Sequence, residues 1–316
     1  MELAKTPGAK RNPNAKVSRL RKDIVMNKYV YLMALPVIAY FLIFHYAPIG
    51  GLVIAFQNFS AFKGIGGSDW VGLQHFQDFL TSPYAFRVIR NTLMINVYQI
   101  IFGFPAPILL ALLLNEIRVQ LFKRAIQTIS YMPHFISLVV ICGMLVDFTQ
   151  SEGVINDIIV FFGGERANLL MDTDLFRTIF VSSGIWQEVG WGSIIYLAAL
   201  STLDPHLYEA SSIDGAGRFR QLVHITFPAL VPTILILLIM RMGHIMSEGF
   251  EKIILLYNPL TYETADVISS YVYRRGIQEA NYSFGAAVGL FNSSINFIIL
   301  LAVNYLSRKY AKESLW

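Results

Sequence analysis

Six long apolar stretches dominate this sequence and restrict the folds open to it. They cover residues 29–53, 88–114, 129–148, 175–200, 229–246 and 286–306. A helix needs about 20 mostly apolar residues to cross the hydrocarbon core of a membrane. Only 15% of the residues are charged, whereas soluble domains carry about 25%. The sequence therefore predicts an all-α membrane protein whose six spanning helices form one domain, residues 29–307.

The basic residues are concentrated before the first stretch and after the last. Residues 1–28 carry Lys5, Lys10, Arg11, Lys16, Arg19, Arg21, Lys22 and Lys28. Residues 308–316 carry Arg308, Lys309 and Lys312. The positive-inside rule places both tails in the cytoplasm, which agrees with an even number of spans. The basic residues thus indicate membrane orientation rather than nucleic-acid binding, and the connection at residues 201–228 is expected to face the cytoplasm.

This connection is longer than the usual link of about 2–8 residues between packed helices. Asp204 can cap a helix whose first residue is Pro205, and Asp214-Gly215 can end that helix in a turn. A second helix can then lead to Pro228. We predict a helix-turn-helix that docks on a cytoplasmic partner, with an ordinary connection between two spans as the alternative.

The same connection resembles the EAA loop of ABC importer permeases. That pattern is E-A-A, three residues, G, nine residues, I, one residue and L-P. Here Glu209-Ala210-Ser211 is followed at the same spacing by Gly215, Ile225 and Phe227-Pro228. Ser211 and Phe227 depart from the pattern, whereas Asp214 and Ala216 match the D-G-A form of sugar permeases.

The resemblance implies a six-helix, type I importer permease in which this loop is a coupling helix seated in a cleft of an ATPase subunit. Glu209 would contact the ATPase surface, Ala210 and Ala216 would allow close packing, and Gly215 would supply the turn. Ser211 and Asp214 belong to the same coupling segment.

Two further segments resemble carbohydrate permeases. Trp70-Val71-Gly72-Leu73 with Phe76 is similar to their W-V-G-L-x-x-F motif. Residues 271–276 and 282–291 resemble the LplB-type polysaccharide permeases. The resemblance implies a multi-pass subunit of the bacterial inner membrane that moves an oligosaccharide or polysaccharide fragment by alternating access. The implied partners are a second homologous permease, two ATPase subunits and an extracellular solute-binding protein.

The chain itself has no G-x-x-x-x-G-K-[ST] motif for ATP phosphates. We therefore expect no cofactor on this chain and no enzymatic activity, with ATP and Mg²⁺ used by the partner ATPases. The single cysteine, Cys142, and the scattered histidines have no metal-binding spacing, so no metal site is predicted.

Polar and aromatic residues inside the spans are candidates for the substrate path, because polar groups in a membrane are costly. Trp186, Gln187, Glu188 and Trp191 cluster in the fourth stretch, and the other candidates are Arg241 and Asn292. Each has a structural alternative: interfacial placement for the tryptophans, an internal pair for Arg241 and helix packing for Asn292.

Two other functions fit a polytopic membrane protein. An ion-gradient-driven secondary transporter would explain the spans and Arg241 but not the EAA pattern. A membrane-embedded enzyme would need a catalytic constellation, and no G-x-S-x-G or HExxH motif is present.

Overall fold

The computed structural model describes residues 25–246 and 249–310, and only the backbone of Tyr310. The chain divides into two compact units, residues 1–54 and 55–316. Within the described ranges nearly every element is helical. The β structure there is a short antiparallel ladder of β1 (Gln57–Asn58) and β2 (Asp69–Trp70), with Gln57 opposite Trp70. The all-α prediction is confirmed.

The described part of the first unit is one continuous helical rod. It begins with α1 (Lys28–Phe41), passes through a π-helical turn at Leu42–Tyr46 and continues as a 3-10 helix at Ala47–Phe56. None of the side chains of α1 is buried. Its apolar surface therefore faces outward all round, as suits a helix surrounded by lipid or by another subunit.

The second unit contains fifteen of the described α-helices, numbered here in chain order. They are α2 (Gly64–Gly67), α3 (Gln74–Thr81), α4 (Ala85–Tyr98), α5 (Pro105–Glu116), α6 (Gln120–Tyr131), α7 (Leu138–Thr149), α8 (Val154–Phe161), α9 (Thr173–Ser201), α10 (Pro205–Ile213), α11 (Arg218–Gln221), α12 (Phe227–Met242), α13 (Phe250–Leu256), α14 (Tyr262–Ala265), α15 (Ile268–Val272) and α16 (Tyr282–Tyr310). π-helical segments at Gln99–Gly103, Leu222–Thr226 and Tyr273–Gln278 continue α4, α11 and α15.

Five helical segments are long and apolar enough to cross a membrane. They are Lys28–Phe56, Ala85–Glu116, Leu138–Phe161, Arg218–Met242 and Tyr282–Lys309. The predicted fourth span corresponds to α9, which has 29 residues but is less apolar than these five segments. Gln187 and Glu188 contribute to that polarity. Five of the six predicted spans are thus confirmed by length and hydropathy. The fourth span, which corresponds to α9, stays a prediction.

The predicted third stretch, residues 129–148, is wrong at its start. α6 ends at Tyr131, a 3-10 turn covers Met132–Phe135, and α7 begins only at Leu138. Pro133 explains this break, because proline lacks the backbone donor of a helix interior and its ring clashes with the preceding turn. Ser137 then caps α7 by accepting from the Val140 N–H at 3.4 Å.

α9 is the central helix of the second unit. Its buried Phe176 and Phe180 pack in a core with Ile253 of α13, and its buried Tyr196 packs in another with Leu230 of α12. Helix α5 lies along it. A third core joins α3, α4, α15 and α16. A helix that shares cores with so many others is held rigidly, so its side chains have well-defined positions.

The segment between α12 and α16, which the sequence did not assign, folds as a set of short helices. The fully buried Asp266 lies at its centre, with the Arg274 guanidinium 2.7 Å away and Ser270 Oγ at 2.8 Å. Burial alone would lower the pKa of Arg274, but its hydrogen bonds and attraction to Asp266 raise it. Arg87 of α4 approaches the same carboxylate at 3.5 Å, so the pair ties this segment to α4.

Candidate functional site

The helix-turn-helix predicted at residues 201–228 is present. Asp204 Oδ1 accepts from the His206 N–H at 2.9 Å and Pro205 is the first residue of α10, as predicted. The helix ends at Ile213, Asp214 is its C-terminal cap, and Gly215 has a φ of +78°. A glycine takes this left-handed conformation without the steric cost that a side chain adds. α11 then runs through its π-helical continuation into α12.

Hydrogen bonds within the loop fix the angle between its two helices. The Gln221 amide donates to Ser211 Oγ at 2.9 Å and to Ser212 Oγ at 2.9 Å. The hydroxyls of Tyr208 and Thr226 lie 3.0 Å apart. Ser211, which replaces an alanine of the EAA pattern, therefore has a structural role. The loop is a preformed unit rather than a loose connection.

The outer surface of this loop presents apolar side chains to its surroundings. The exposed fraction is 87% for Ile213, 78% for Phe219 and 50% for Leu207. Glu209, Ala210, Asp214 and Gly215 are also exposed, whereas Ser211 and Ala216 are partly covered. A rigid loop with exposed apolar side chains beside a carboxylate has the character of a docking surface.

A second candidate site is a groove along one face of α9. Its wall is formed by residues spaced three or four apart, which lie in one stripe of a helix: Thr178, Val181, Ile185, Glu188, Gly192 and Ile195. We call this stripe and the cavities along it the α9 groove. Three cavities of about 710, 390 and 520 Å³ follow one another from the Thr173 end of α9 toward its Ser201 end.

Neighbouring cavities of the groove share lining residues. The first and second share Val181 and Ile185, and the second and third share Pro107, Gly192 and Arg241. The groove is therefore continuous along most of the helix. Its opposite wall comes from α4, α5 and α12, so the second and fifth predicted spans border it together with α9.

Polar side chains meet in the middle of this groove. The Arg241 guanidinium donates to Gln99 Oε1 at 3.1 Å. Both residues line the second cavity together with Glu188. Gln99 was not among the predicted path residues, although it is polar within the second apolar stretch. It also begins the π-helical segment that continues α4, and such segments are frequent at functional sites.

Glu188 connects the groove to the turn between α6 and α7. Its Oε2 lies 3.0 Å from His134 Nδ1. The His134 ring stacks on Trp191, with ring centroids 4.5 Å apart and an interplanar angle of 3°. Trp191 therefore supports His134 and contacts Phe135, and it does not line the three cavities of the groove.

A fourth cavity, of about 470 Å³, opens beside the second and shares Gln99, Gly184 and Glu188 with it. Gln187 and Lys252 also line it, and we call it the Lys252 cavity. The Lys252 side chain comes from α13, and the residue is only 6% exposed. Its Nζ donates to Ser183 Oγ at 2.8 Å and to the Phe180 carbonyl at 3.1 Å. Sequence reasoning missed this lysine.

Of the six candidates named from the sequence, Gln187 lines the Lys252 cavity, Arg241 lines two cavities of the α9 groove, and Glu188 lines a cavity of each. Trp186 borders another, mostly apolar cavity of about 500 Å³ with Ile141 and Phe148, which shares Ser182 with the first cavity of the groove. Asn292 donates to the Met246 carbonyl at 3.0 Å, next to the end of α12. Within residues 25–246 and 249–310, no group of three histidine, cysteine or carboxylate side chains is arranged to hold a metal ion.

Comparison with known proteins identifies the family of this chain. Residues 103–312, which include α5, α9 and α12, match the family model described as binding-protein-dependent transport system inner membrane component. The chain is 45% identical over 302 residues to the polygalacturonan/rhamnogalacturonan transport system permease protein YteP of Bacillus subtilis strain 168, covering 95% of this chain and 94% of YteP.

Other relatives agree with this match. The protein LplB of Bacillus subtilis strain 168 is 46% identical over 301 residues, which cover 95% of this chain and 93% of LplB. A chain of a bacterial alginate ABC transporter, solved in complex with an alginate pentasaccharide-bound periplasmic protein, superposes with a TM-score of 0.88. It is 44% identical, and the match covers 94% of this chain and 100% of that chain. The chain belongs to the family of binding-protein-dependent transport system inner membrane components and is a permease subunit of a type I ABC importer.

Proposed function

We propose that this subunit carries an oligosaccharide or polysaccharide fragment, delivered by a solute-binding protein, across a bacterial inner membrane by alternating access. Support comes from the relatives, which include permeases for polygalacturonan or rhamnogalacturonan and for alginate. Membership of this family favours ATP-driven import over the ion-gradient-driven alternative. The α9 groove is long, continuous and polar at its middle, which suits a chain of sugar units better than a single small solute.

The expected complex contains a second homologous permease and two ATPase subunits, which bind and hydrolyse ATP with Mg²⁺. This chain binds no cofactor in this scheme. The α10–α11 loop is its proposed contact with one ATPase, with Glu209, Ala210, Ser211, Asp214, Gly215 and Ala216 in the coupling segment. The exposed Ile213 and Phe219 support that role, because apolar side chains on a rigid loop gain stability when a partner covers them.

The loop is directly connected to two helices that border the groove, and this connection allows coupling. α10 follows α9 after three residues, and α11 continues into α12. The loop therefore joins the two helices that bring Glu188 and Arg241 to the groove. Because the loop is stiffened by Gln221 and Tyr208, a displacement of the loop by an ATPase moves both walls. ATP favours the state in which the bound ATPases are closed, and this difference in affinity shifts the equilibrium between groove states.

The proposed orientation places the loop and both tails, residues 1–28 and 308–316, in the cytoplasm. Most of these tails lies outside the described residues. The Thr173 end of α9 would then receive sugar from the solute-binding protein. Gln99, Gln187 and Arg241 offer hydrogen bonds to sugar hydroxyls, while Trp186, Trp191 and Asn292 stay predictions for the path.

Replacing Gly215 with proline tests the coupling role. Proline fixes φ near −65°, whereas Gly215 has a φ of +78° and donates its N–H to Ser212. We expect Gly215→Pro to leave assembly intact and to remove the stimulation of ATPase activity by sugar-loaded binding protein. The measurement is ATP hydrolysis by the purified complex, co-expressed with its partner subunits.

Gly163→Pro is a matched control. Gly163 has a φ of +86°, donates its N–H to the Val160 carbonyl and lies in the connection after α8. It should keep stimulation. If both variants lose the stimulation of ATPase activity equally, the loss in Gly215→Pro is due to general backbone strain and not to a coupling role of the loop. Failure of any ATPase to co-purify would contradict the importer assembly and favour the gradient-driven alternative.

A further inference from the structure

Lys252 is a buried ammonium group whose direct partners are all neutral. Its two hydrogen bonds go to Ser183 Oγ and the Phe180 carbonyl, and its Nζ lies 5.0 Å from the centre of the Phe180 ring. Across residues 25–246 and 249–310, no carboxylate is within ion-pair distance of this nitrogen. Burying a charge without an opposite charge is unfavourable, so such a group marks a functional position.

Two carboxylates, those of Glu188 and Glu251, line the same cavity as Lys252. Glu188 shares the cavity, but its Oε2 is bound by His134. Glu251 precedes Lys252 in α13 and is exposed. The remaining walls are formed mainly by the neutral side chains of Gln99 and Gln187 and by the close-packed Gly184 and Gly249. An anion in the cavity can therefore accept hydrogen bonds from the buried Lys252 ammonium and from two amides, while Glu188 is held by His134 and Glu251 is open to solvent.

The Lys252 cavity is also the right size and in the right place to admit part of a moving substrate. Its volume of about 470 Å³ falls in the range of about 300–1,000 Å³ that small-molecule sites occupy. It shares Gln99, Gly184 and Glu188 with the second cavity of the α9 groove. A sugar unit in the groove can thus turn a substituent toward Lys252 without leaving the path.

We propose that Lys252 binds the carboxylate of an acidic sugar unit in the middle of the path and makes the permease selective for acidic oligosaccharides. This inference rests on the proposed function and adds its substrate class and the residue that recognises it. The ammonium donates to the carboxylate, while the amides of Gln99 and Gln187 pair with hydroxyls of the ring. A neutral sugar would leave the buried charge uncompensated, so its passage through this point is slower.

The test uses the full importer in proteoliposomes, with its own binding protein in saturating excess. The probes are a galacturonan trisaccharide, its methyl ester, which keeps the ring but loses the charge, and the neutral galactotriose. Each variant is compared with wild type on the same probe, so the preference of the binding protein cancels in the ratio. Lys252→Gln keeps a donor near Ser183 but removes the charge, Lys252→Met removes both, and Lys252→Arg keeps the charge.

Lys252→Gln and Lys252→Met should lower ATP-driven uptake of the acidic trisaccharide about tenfold, as loss of one charged hydrogen bond implies. Uptake of any neutral probe that wild type carries should not fall in these variants, because the charge that slows its passage is gone. Lys252→Arg should restore most of the lost uptake. Lys123→Met, a lysine of α6 with no assigned role, controls for loss of a lysine elsewhere. Gel filtration checks assembly, and Lys252→Arg serves if the uncharged variants fail to assemble.

Three results would overturn the inference. The first is that assembled Lys252→Gln takes up the acidic trisaccharide at the same rate as wild type. The second is that the wild-type importer takes up galactotriose but does not take up the acidic trisaccharide. In both cases the sugar importer function stands. The third is equal uptake of the acidic probe and its methyl ester by wild type and Lys252→Arg. If wild type takes up none of the probes with ATP, the proposed function fails together with this inference.

Discussion

Individual side chains in this protein connect helices that are far apart in sequence. Arg241 of α12 donates to Gln99 at the end of α4, and Asp266 accepts from Arg274 and approaches Arg87 of α4. Hydrogen bonds in a low-dielectric interior are costly to leave unmade. These contacts therefore constrain how the helices meet, and none of the partnerships was evident from the sequence.

Asp266→Asn should strongly destabilise the fold. The carboxylate is fully buried, and breaking a buried ion pair costs about 3–5 kcal/mol because Arg274 stays behind without its carboxylate. We expect a clearly lower midpoint of thermal unfolding in detergent. Asp69→Asn is the control, because its exposed pair with Lys63 belongs to a class worth less than about 1 kcal/mol. Equal midpoints for the two variants would contradict a structural role for Asp266.

At the scale of elements, the sequence indicates the long helices and the helix-turn-helix well. Apolar runs predict spans because a membrane demands them, and Asp204, Pro205 and Gly215 carry local signals for a cap and a turn. Pro133 was visible in the sequence, but the predicted third stretch, residues 129–148, ran straight through it. Proline tolerance depends on what neighbouring helices supply, and that is a tertiary property.

The path was harder to predict for the same reason. Helical periodicity shows which residues share a face of α9, but not which face meets α5 and α12. In the structure, Gln187 lines the Lys252 cavity, while the adjacent Trp186 borders a different cavity. Periodicity alone did not distinguish these two placements. Lys252 lies on a short helix of seven residues, and nothing local indicates that it reaches α9.

The crossing of α6 and α9 depends on Gly190. A Cβ atom there would lie 2.0 Å from the Ser130 carbonyl oxygen, so Gly190→Ala forces the two helices apart. We expect lower stability and a smaller yield of assembled complex. Gly143→Ala in α7 has no atom within 4 Å of its new Cβ, and it should be neutral or stabilising because alanine favours helix by about 1 kcal/mol. Stability effects of the same sign and size would argue against the close contact.

At the scale of the whole molecule, one loop joins two helices that border a continuous groove. The hydrogen bonds of Gln221 stiffen the loop, and the shared cores of α9 hold the groove wall. Because the loop and α9 are both rigid, a small displacement of the loop is transmitted along α9 to the groove. In the proposed complex, the same architecture lets this subunit use energy released by ATP hydrolysis in a partner.

In the proposed mechanism, the α9 face carrying Ile185 lines the path and is exposed alternately to the two sides of the membrane. Ile185 borders two cavities of the groove, whereas the adjacent Trp186 borders none of them. The most direct measurement starts from a Cys142→Ala background and introduces a single cysteine at either position. Labelling with a membrane-impermeant maleimide is then followed from each side of proteoliposomes containing the full importer.

The account predicts that the cysteine at position 185 is labelled from one side without ATP and from the other when ATP and vanadate trap the closed ATPases. Transported sugar should slow both reactions. The cysteine at position 186 should show no such exchange. Identical labelling of the two positions, or labelling at 185 that never changes sides, would contradict an alternating path along this face of α9.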